Sequence, residues 1–188
     1  DLYGHVDKQL GALHGFAGVA HALLEGRDLF DPDRATELVR RVRETLAATA
    51  LREDQCANWP MTAGPTDRPG AATLRVQHCM GAPGMVNALA GLPRDPETDA
   101  LLLAAGELTW KAGPPAKAPG LCHGAPGSGY ALLKLHARTG DAIWLARARA
   151  FAMHAVEQAE RAAAVHGQRK FSLWTGDPGL ACFLWDCV

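Results

Sequence analysis

The sequence predicts an all-α fold of repeated helical hairpins, and three observations carry that expectation. A Gly-x-x-Gly pattern returns four times, at Gly15-Phe16-Ala17-Gly18, Gly81-Ala82-Pro83-Gly84, Gly124-Ala125-Pro126-Gly127 and Gly176-Asp177-Pro178-Gly179, with Pro before the second glycine in three of them. The first glycines stand 66, 43 and 52 residues apart, intervals that suit a two-helix unit with loops of variable length. No segment shows a sustained period-two alternation, which argues against a sheet of any size.

Each unit reads as a short inner helix followed by a longer outer one. Val19 to Glu25 is apolar and ends at Gly26, and Ser128 to Arg138 ends near Gly140, with glycine as the C-terminal cap. Start signals then open the outer helices: Asp31-Pro32 before Ala35 to Leu51, Asp95-Pro96 before Leu101 to Lys111, and Asp141 before Trp144 to Val165. In the first of these Ala35, Leu38, Val39, Val42 and Leu46 form the core stripe, with Arg34, Arg41 and Arg43 turned to water. Trp110, Trp144 and Trp185 fall on apolar faces and are expected in the core. The segment 57–72, rich in Pro, Gly and Thr, is expected as a long surface loop inside one domain spanning 1–188, because the repeat resumes after it. Such hairpins either stack as an open solenoid or close into a ring.

Composition narrows the function. The 188 residues are 48% hydrophobic and 21% charged with a formal charge of −1, a globular balance without the basic footprint of nucleic-acid or anionic-membrane binding. No transmembrane run is present, and the start Asp1-Leu2-Tyr3-Gly4-His5 lacks both a signal-peptide pattern and an initiator Met, so a processed or truncated start is expected. Five cysteines at irregular spacings, Cys56, Cys79, Cys122, Cys182 and Cys187, do not read as a disulfide framework. A cytoplasmic setting follows, in which a cysteine inside a motif is a metal ligand or a reactive thiol.

The two positions before each first glycine hold that chemistry: Leu13-His14, Cys79-Met80, Cys122-His123 and Trp174-Thr175. If every motif opens an inner helix at the same end of the array, these positions meet although they are far apart in sequence. Thiolate and imidazole suit Zn²⁺, and three protein ligands with an open fourth position is the catalytic pattern, so Cys79, Cys122 and His123 are the candidate ligands. The competing reading is a pair of buried, inert thiols at crowded glycine turns. His14 is either a fourth ligand or a general acid/base beside the metal. His21, His136, His154 and His166 have no second ligand at metal spacing, and Asp177 reads as a cap.

Taken together, Leu13-His14-Gly15-Phe16-Ala17-Gly18, Gln77-His78-Cys79-Met80-Gly81-Ala82-Pro83-Gly84, Gly120-Leu121-Cys122-His123-Gly124 and Phe171-Ser172-Leu173-Trp174-Thr175-Gly176 resemble the lanthionine synthetase C-like family, the LanC cyclases and their stand-alone relatives. The resemblance implies an α/α toroid of inner and outer helices, of which these four units make the carboxy-terminal part and hence a partial ring. It also implies one zinc held by Cys79, Cys122 and His123, which would carry a thiol as thiolate for addition to dehydroalanine or dehydrobutyrine in a peptide or protein. The thiol would come from a peptide cysteine or from glutathione. By the same resemblance His14 handles the proton of the enolate, Arg75 stabilises its charge, and Lys117 contacts glutathione. Two departures stand out: His78 and Met80 flank Cys79 where the family often has Trp before the cysteine and Tyr or His after it, and Met80 has no proton to transfer. An alternative function is therefore a zinc- and thiol- or glutathione-binding module without turnover.

Overall fold

The computed structural model describes residues 8–65, 70, 73–117 and 119–188. The opening residues and linker positions 66–69, 71 and 72 lie outside them. Among the described residues the chain forms seven α-helices and one small hairpin: α1 (Phe16–Glu25), α2 (Pro32–Thr49), β1 (Leu51–Glu53), β2 (Cys56–Asn58), α3 (Ala82–Leu89), α4 (Pro96–Ala112), α5 (Ala125–Thr139), α6 (Ala142–His166) and α7 (Asp177–Asp186). The fold is all-α, as the sequence predicts, with β1 and β2 an antiparallel pair of three residues each. None of the described helices is long and apolar enough to cross a membrane.

The helices alternate between two layers. Each Gly-x-x-Gly opens one of α1, α3, α5 and α7, and these pack in chain order, α1 on α3, α3 on α5, α5 on α7. The longer α2, α4 and α6 back them, α4 against α3 and α5, α6 against α5 and α7, as an α/α toroid requires. The outer helices start where the sequence predicts. Asp31 caps α2 by accepting from Arg34 N, Asp95 caps α4 by accepting from Glu97 N and Thr98 N, and Asp141 caps α6 by accepting from Ile143 N. Removing such a cap costs about 1 kcal/mol.

The repeated glycines are needed for space. A Cβ on the second glycine of each motif would stand on the carbonyl oxygen six residues earlier: 2.1 Å from Ala12 O at Gly18, 2.1 Å from His78 O at Gly84, 1.7 Å from Leu121 O at Gly127 and 2.3 Å from Leu173 O at Gly179. The turn before each inner helix therefore folds back onto the helix's own first turn, and any side chain there would push it away. In the first and fourth copies a backbone bond closes the turn, Phe16 N to Gln9 O and Asp177 N to Lys170 O, both at 2.8 Å. The second copy differs. Asn58 inserts its amide, accepting from Ala82 N at 2.8 Å and donating to Arg75 O at 3.3 Å, and Gly81 takes a φ of +98° that favours glycine.

Three expectations are corrected. The first part of the 57–72 segment is core: Trp59 is 1% exposed, its indole N–H donates to Leu46 O, and Leu10 N bonds Met61 O across to the turn before α1. Arg43 on α2 is half-buried and pairs with Asp95 at 2.9 Å, because α2 and α4 pack side by side and bring its guanidinium over the α4 cap. Of the three tryptophans, Trp144 is buried; Trp110 is 38% exposed beneath Arg147, and Trp185 is 81% exposed because α5 and α6 cover the other side of α7.

Candidate metal centre

The turns that precede the inner helices are joined edge to edge. Cys79 N donates to Cys122 O at 3.0 Å, and Cys122 N donates to Trp174 O at 2.8 Å. On the other flank Gly11 sits so close that a Cβ would lie 2.4 Å from Cys79 O. The backbone thus aligns the positions before α1, α3, α5 and α7, and the sequence-predicted slots do become spatial neighbours.

The thiols of Cys79 and Cys122 meet. Cys122 is half-buried, and burial together with the hydrogen-bonded Cys79 thiol pushes its pKa up to about 11. Cys79 is 7% exposed and accepts a hydrogen bond from Gln77 Nε2 at 2.9 Å. Burial and the neighbouring Cys79 thiol make Cys122 a poor anion alone; a soft divalent cation reverses that balance. The pair fits such an ion by donor type. His123 is the next residue and is half-buried, yet no three His, Cys, Asp or Glu side chains among the described residues converge closely enough to hold a metal. The structure brings the two sulfurs together.

The other predicted residues are dispersed around this centre. His14 is exposed in the turn before α1, where it lines a cavity of about 900 Å³ against α1 and α2, and it forms no hydrogen bond or ion pair with either thiol. Arg75 is half-buried, its carbonyl held by Asn58 and its guanidinium reaching toward Gly70. Lys117 is exposed at the edge of a cavity of about 410 Å³ that also takes in Gln158, His166, Arg169, Lys170 and Asp177. Asp177 stands in the first turn of α7, with Gly176 as the N-cap residue and Arg169 at 3.5 Å from its carboxylate. Met80 packs its Cγ beside Gly11.

Residues that the motif reading left without a role complete the surroundings. His78 Nδ1 lies 2.9 Å from Asn87 Nδ2, and the His78 ring meets the half-exposed Trp174 edge-on at 6.1 Å. Burial pushes the His78 imidazole down to about 4, so the ring is neutral. Gln77 was within sight as a neighbour of Cys79. Asn87 was not, because its partner Gly127 is 40 residues away.

The chain is 31% identical over 193 residues to the LanC-like protein GCL1 of Arabidopsis thaliana, an alignment that covers 98% of this chain and 42% of that protein. It is 30% identical over 191 residues to a zebrafish (Danio rerio) protein named Glutathione S-transferase LANCL1, covering 97% of this chain and 44% of that one. The chain spans less than half the length of these relatives. The family model for lanthionine synthetase C-like proteins matches residues 2–188, and the chain belongs to that family.

Proposed function

We propose that this chain activates a thiol for addition to the β-carbon of dehydroalanine or dehydrobutyrine, forming a thioether, with zinc held by Cys79, Cys122 and His123. The observation that carries the reading is the meeting of two thiols from turns 43 residues apart, with Gln77 donating to one sulfur. Bound there, zinc supplies the positive charge that keeps a coordinated thiol as the nucleophilic thiolate at neutral pH. His14 serves as the acid/base for the α-carbon proton. Arg75 contributes a fixed positive charge toward the enolate; none of the described acidic residues pairs with its guanidinium.

Glutathione is the thiol that the surroundings favour. Lys117, Arg169 and Lys170 line one cavity beside Thr175 and Asp177, which suits a small thiol carrying two carboxylates, and the name of one relative refers to glutathione. The electrophile is a dehydroamino acid in a peptide or protein. Free thiols at Cys79 and Cys122 call for a reducing compartment such as the cytoplasm. A second reading, a zinc- and thiol-binding module without turnover, is favoured by Met80, which has no proton to move.

Elemental analysis is expected to give about one zinc per chain, falling sharply in Cys122→Ala. Incubation with glutathione and a dehydroalanine peptide should then yield the thioether by mass, and His14→Ala should keep the zinc and lose the product. Zinc retained by Cys122→Ala refutes the ligand assignment. Zinc bound without adduct leaves the binding module as the function.

A further inference from the structure

The turn that carries Cys79 is closed on itself. Gln77 N donates to Met80 O and Met80 N donates to Gln77 O, both at 3.2 Å, so residues 77–80 form a tight loop with Cys79 inside it. Gln77 is 7% exposed, and its side-chain Nε2 lies 2.9 Å from Cys79 Sγ. The backbone of one residue thus holds the turn while its side chain holds the sulfur within that turn.

The acceptor is an unusual one for a buried amide. An N–H removed from water is destabilising unless it finds a partner, and a neutral thiol is a weak partner. A sulfur that carries charge is a strong one, since a hydrogen bond to an ionised acceptor is about twice as strong as one between neutral groups. Among the described residues the Gln77 Nε2 has no oxygen acceptor, only this sulfur. Cys122 differs: no described side-chain N–H reaches its sulfur, which is half-buried and has the Cys79 thiol as its hydrogen-bond partner. The two sulfurs are therefore unequal, and the amide serves one of them.

We propose that Gln77 is a positioning residue of the metal centre: its side-chain N–H donates to the Cys79 sulfur when that sulfur is a metal ligand, and fixes it in place. This rests on the zinc ligation proposed above. A metal-bound sulfur has no hydrogen of its own, so only the N–H edge of the amide can face it. The hydrogen bond takes up one sulfur lone pair and draws charge from the rest, which stabilises the ligand in a buried turn where water does not reach. Partners of this kind, one bond removed from the metal, commonly set affinity by a factor of about ten to a hundred.

Three ions bound to the full chain test this. In the wild type loaded with ¹¹³Cd²⁺, a Gln77 side-chain amide proton should show scalar coupling to cadmium through the Cys79 sulfur, which a hydrogen bond to the bound ligand transmits. Gln77→Met, of similar length without the donor, should lower zinc affinity by about tenfold to a hundredfold in competition with a chelator. With Co²⁺ bound, the sulfur-to-metal charge-transfer absorption of the variant should move to longer wavelength, because the sulfur lone pairs rise in energy once the N–H is gone. A merely structural role would lower the urea midpoint and leave that absorption where it is. Gln77→Leu, a smaller side chain, repeats the measurements should Gln77→Met fold poorly. Absence of the cadmium coupling, or an unmoved absorption in the variants, overturns the proposal whatever the urea midpoint does. A wild type that takes up none of the three ions overturns the zinc ligation itself, so the two failures are distinct.

Discussion

The backbone N–H of Cys79 donates to the carbonyl of Cys122 at 3.0 Å, so the two candidate sulfur ligands are spaced by a main-chain bond between neighbouring turns rather than by their side chains. That bond exists because both turns fold back against their own helices. The spacing of the two sulfurs is thus a property of the repeat, and whatever unseats one turn should reach the sulfur on it.

Gly127→Ala tests that dependence. The added methyl would stand 1.7 Å from Leu121 O and 2.9 Å from His78 Cβ, backbone on one side and a fixed ring on the other. Leu121 cannot yield without moving the turn that carries Cys122, nor His78 without moving the turn that carries Cys79. A loss of about 3 kcal/mol or more is expected, at the upper end of overpacking costs, together with weaker zinc binding. Urea unfolding and zinc titration measure both; an unchanged midpoint would remove the steric role assigned to the second glycines.

At the other end of the inner helices Arg138 ties three elements together. It is 5% exposed, pairs with Asp99 on α4, and donates from Nη1 to Ala90 O and Leu92 O at 2.7 Å each. Burial would raise the Asp99 pKa, but hydrogen bonds from Arg94 and Arg138 outweigh it and draw the carboxyl below its ordinary 3.8. A carboxyl depressed in the folded state contributes stability above its unfolded pKa and loses it as pH falls through the folded one. Unfolding free energy should therefore drop on acidification below about pH 4, and Asp99→Asn should flatten that drop. Arg138→Ala should cost about 3 kcal/mol, because Asp99 keeps only the exposed Arg94 and the carbonyls of Ala90 and Leu92 lose their donor. Urea melts across the acid range decide it.

The thiols outside the site should separate by reactivity. Cys182 is exposed on α7, whereas Cys187 is 7% exposed and burial pushes it up to about 11. Alkylation proceeds through the thiolate. At mildly alkaline pH iodoacetamide should modify Cys182 rapidly and Cys187 only after unfolding, as peptide mass mapping would show. Equal rates at the two would contradict the packing of α7 on α5 and α6.

How much of this could be read in advance depends on the distance between partners along the chain. The Gly-x-x-Gly turns were legible because each glycine answers to a carbonyl six residues back, and the caps Asp31, Asp95 and Asp141 answer to amides two or three residues on. Asn58, Trp59 and Asn87 were not, since their partners Ala82, Leu46 and Gly127 lie 24, 13 and 40 residues away. Trp185 was misread for a related reason: α7 is apolar on several sides, and periodicity alone does not tell which side another helix covers. In the site, the motif slots brought Cys79 and Cys122 together. Nothing local in the sequence fixes where the His123 ring points.

Lys117 separates substrate binding from chemistry. It stands exposed at the rim of the cavity shared with Arg169 and Lys170, away from any role in holding the sulfurs. A solvent-exposed contact between an ammonium and a carboxylate is worth about 1 kcal/mol or less, a factor of roughly five in affinity. Lys117→Ala should raise KM for glutathione by about that factor and leave kcat and zinc content alone, and Lys117→Arg should stay near the wild type. The difference should shrink as salt screens the pair. Steady-state kinetics at two ionic strengths measure this. A fall in kcat at unchanged KM would mean that Lys117 acts on the reacting atoms, and the basic cavity would then lose its assignment as the glutathione site.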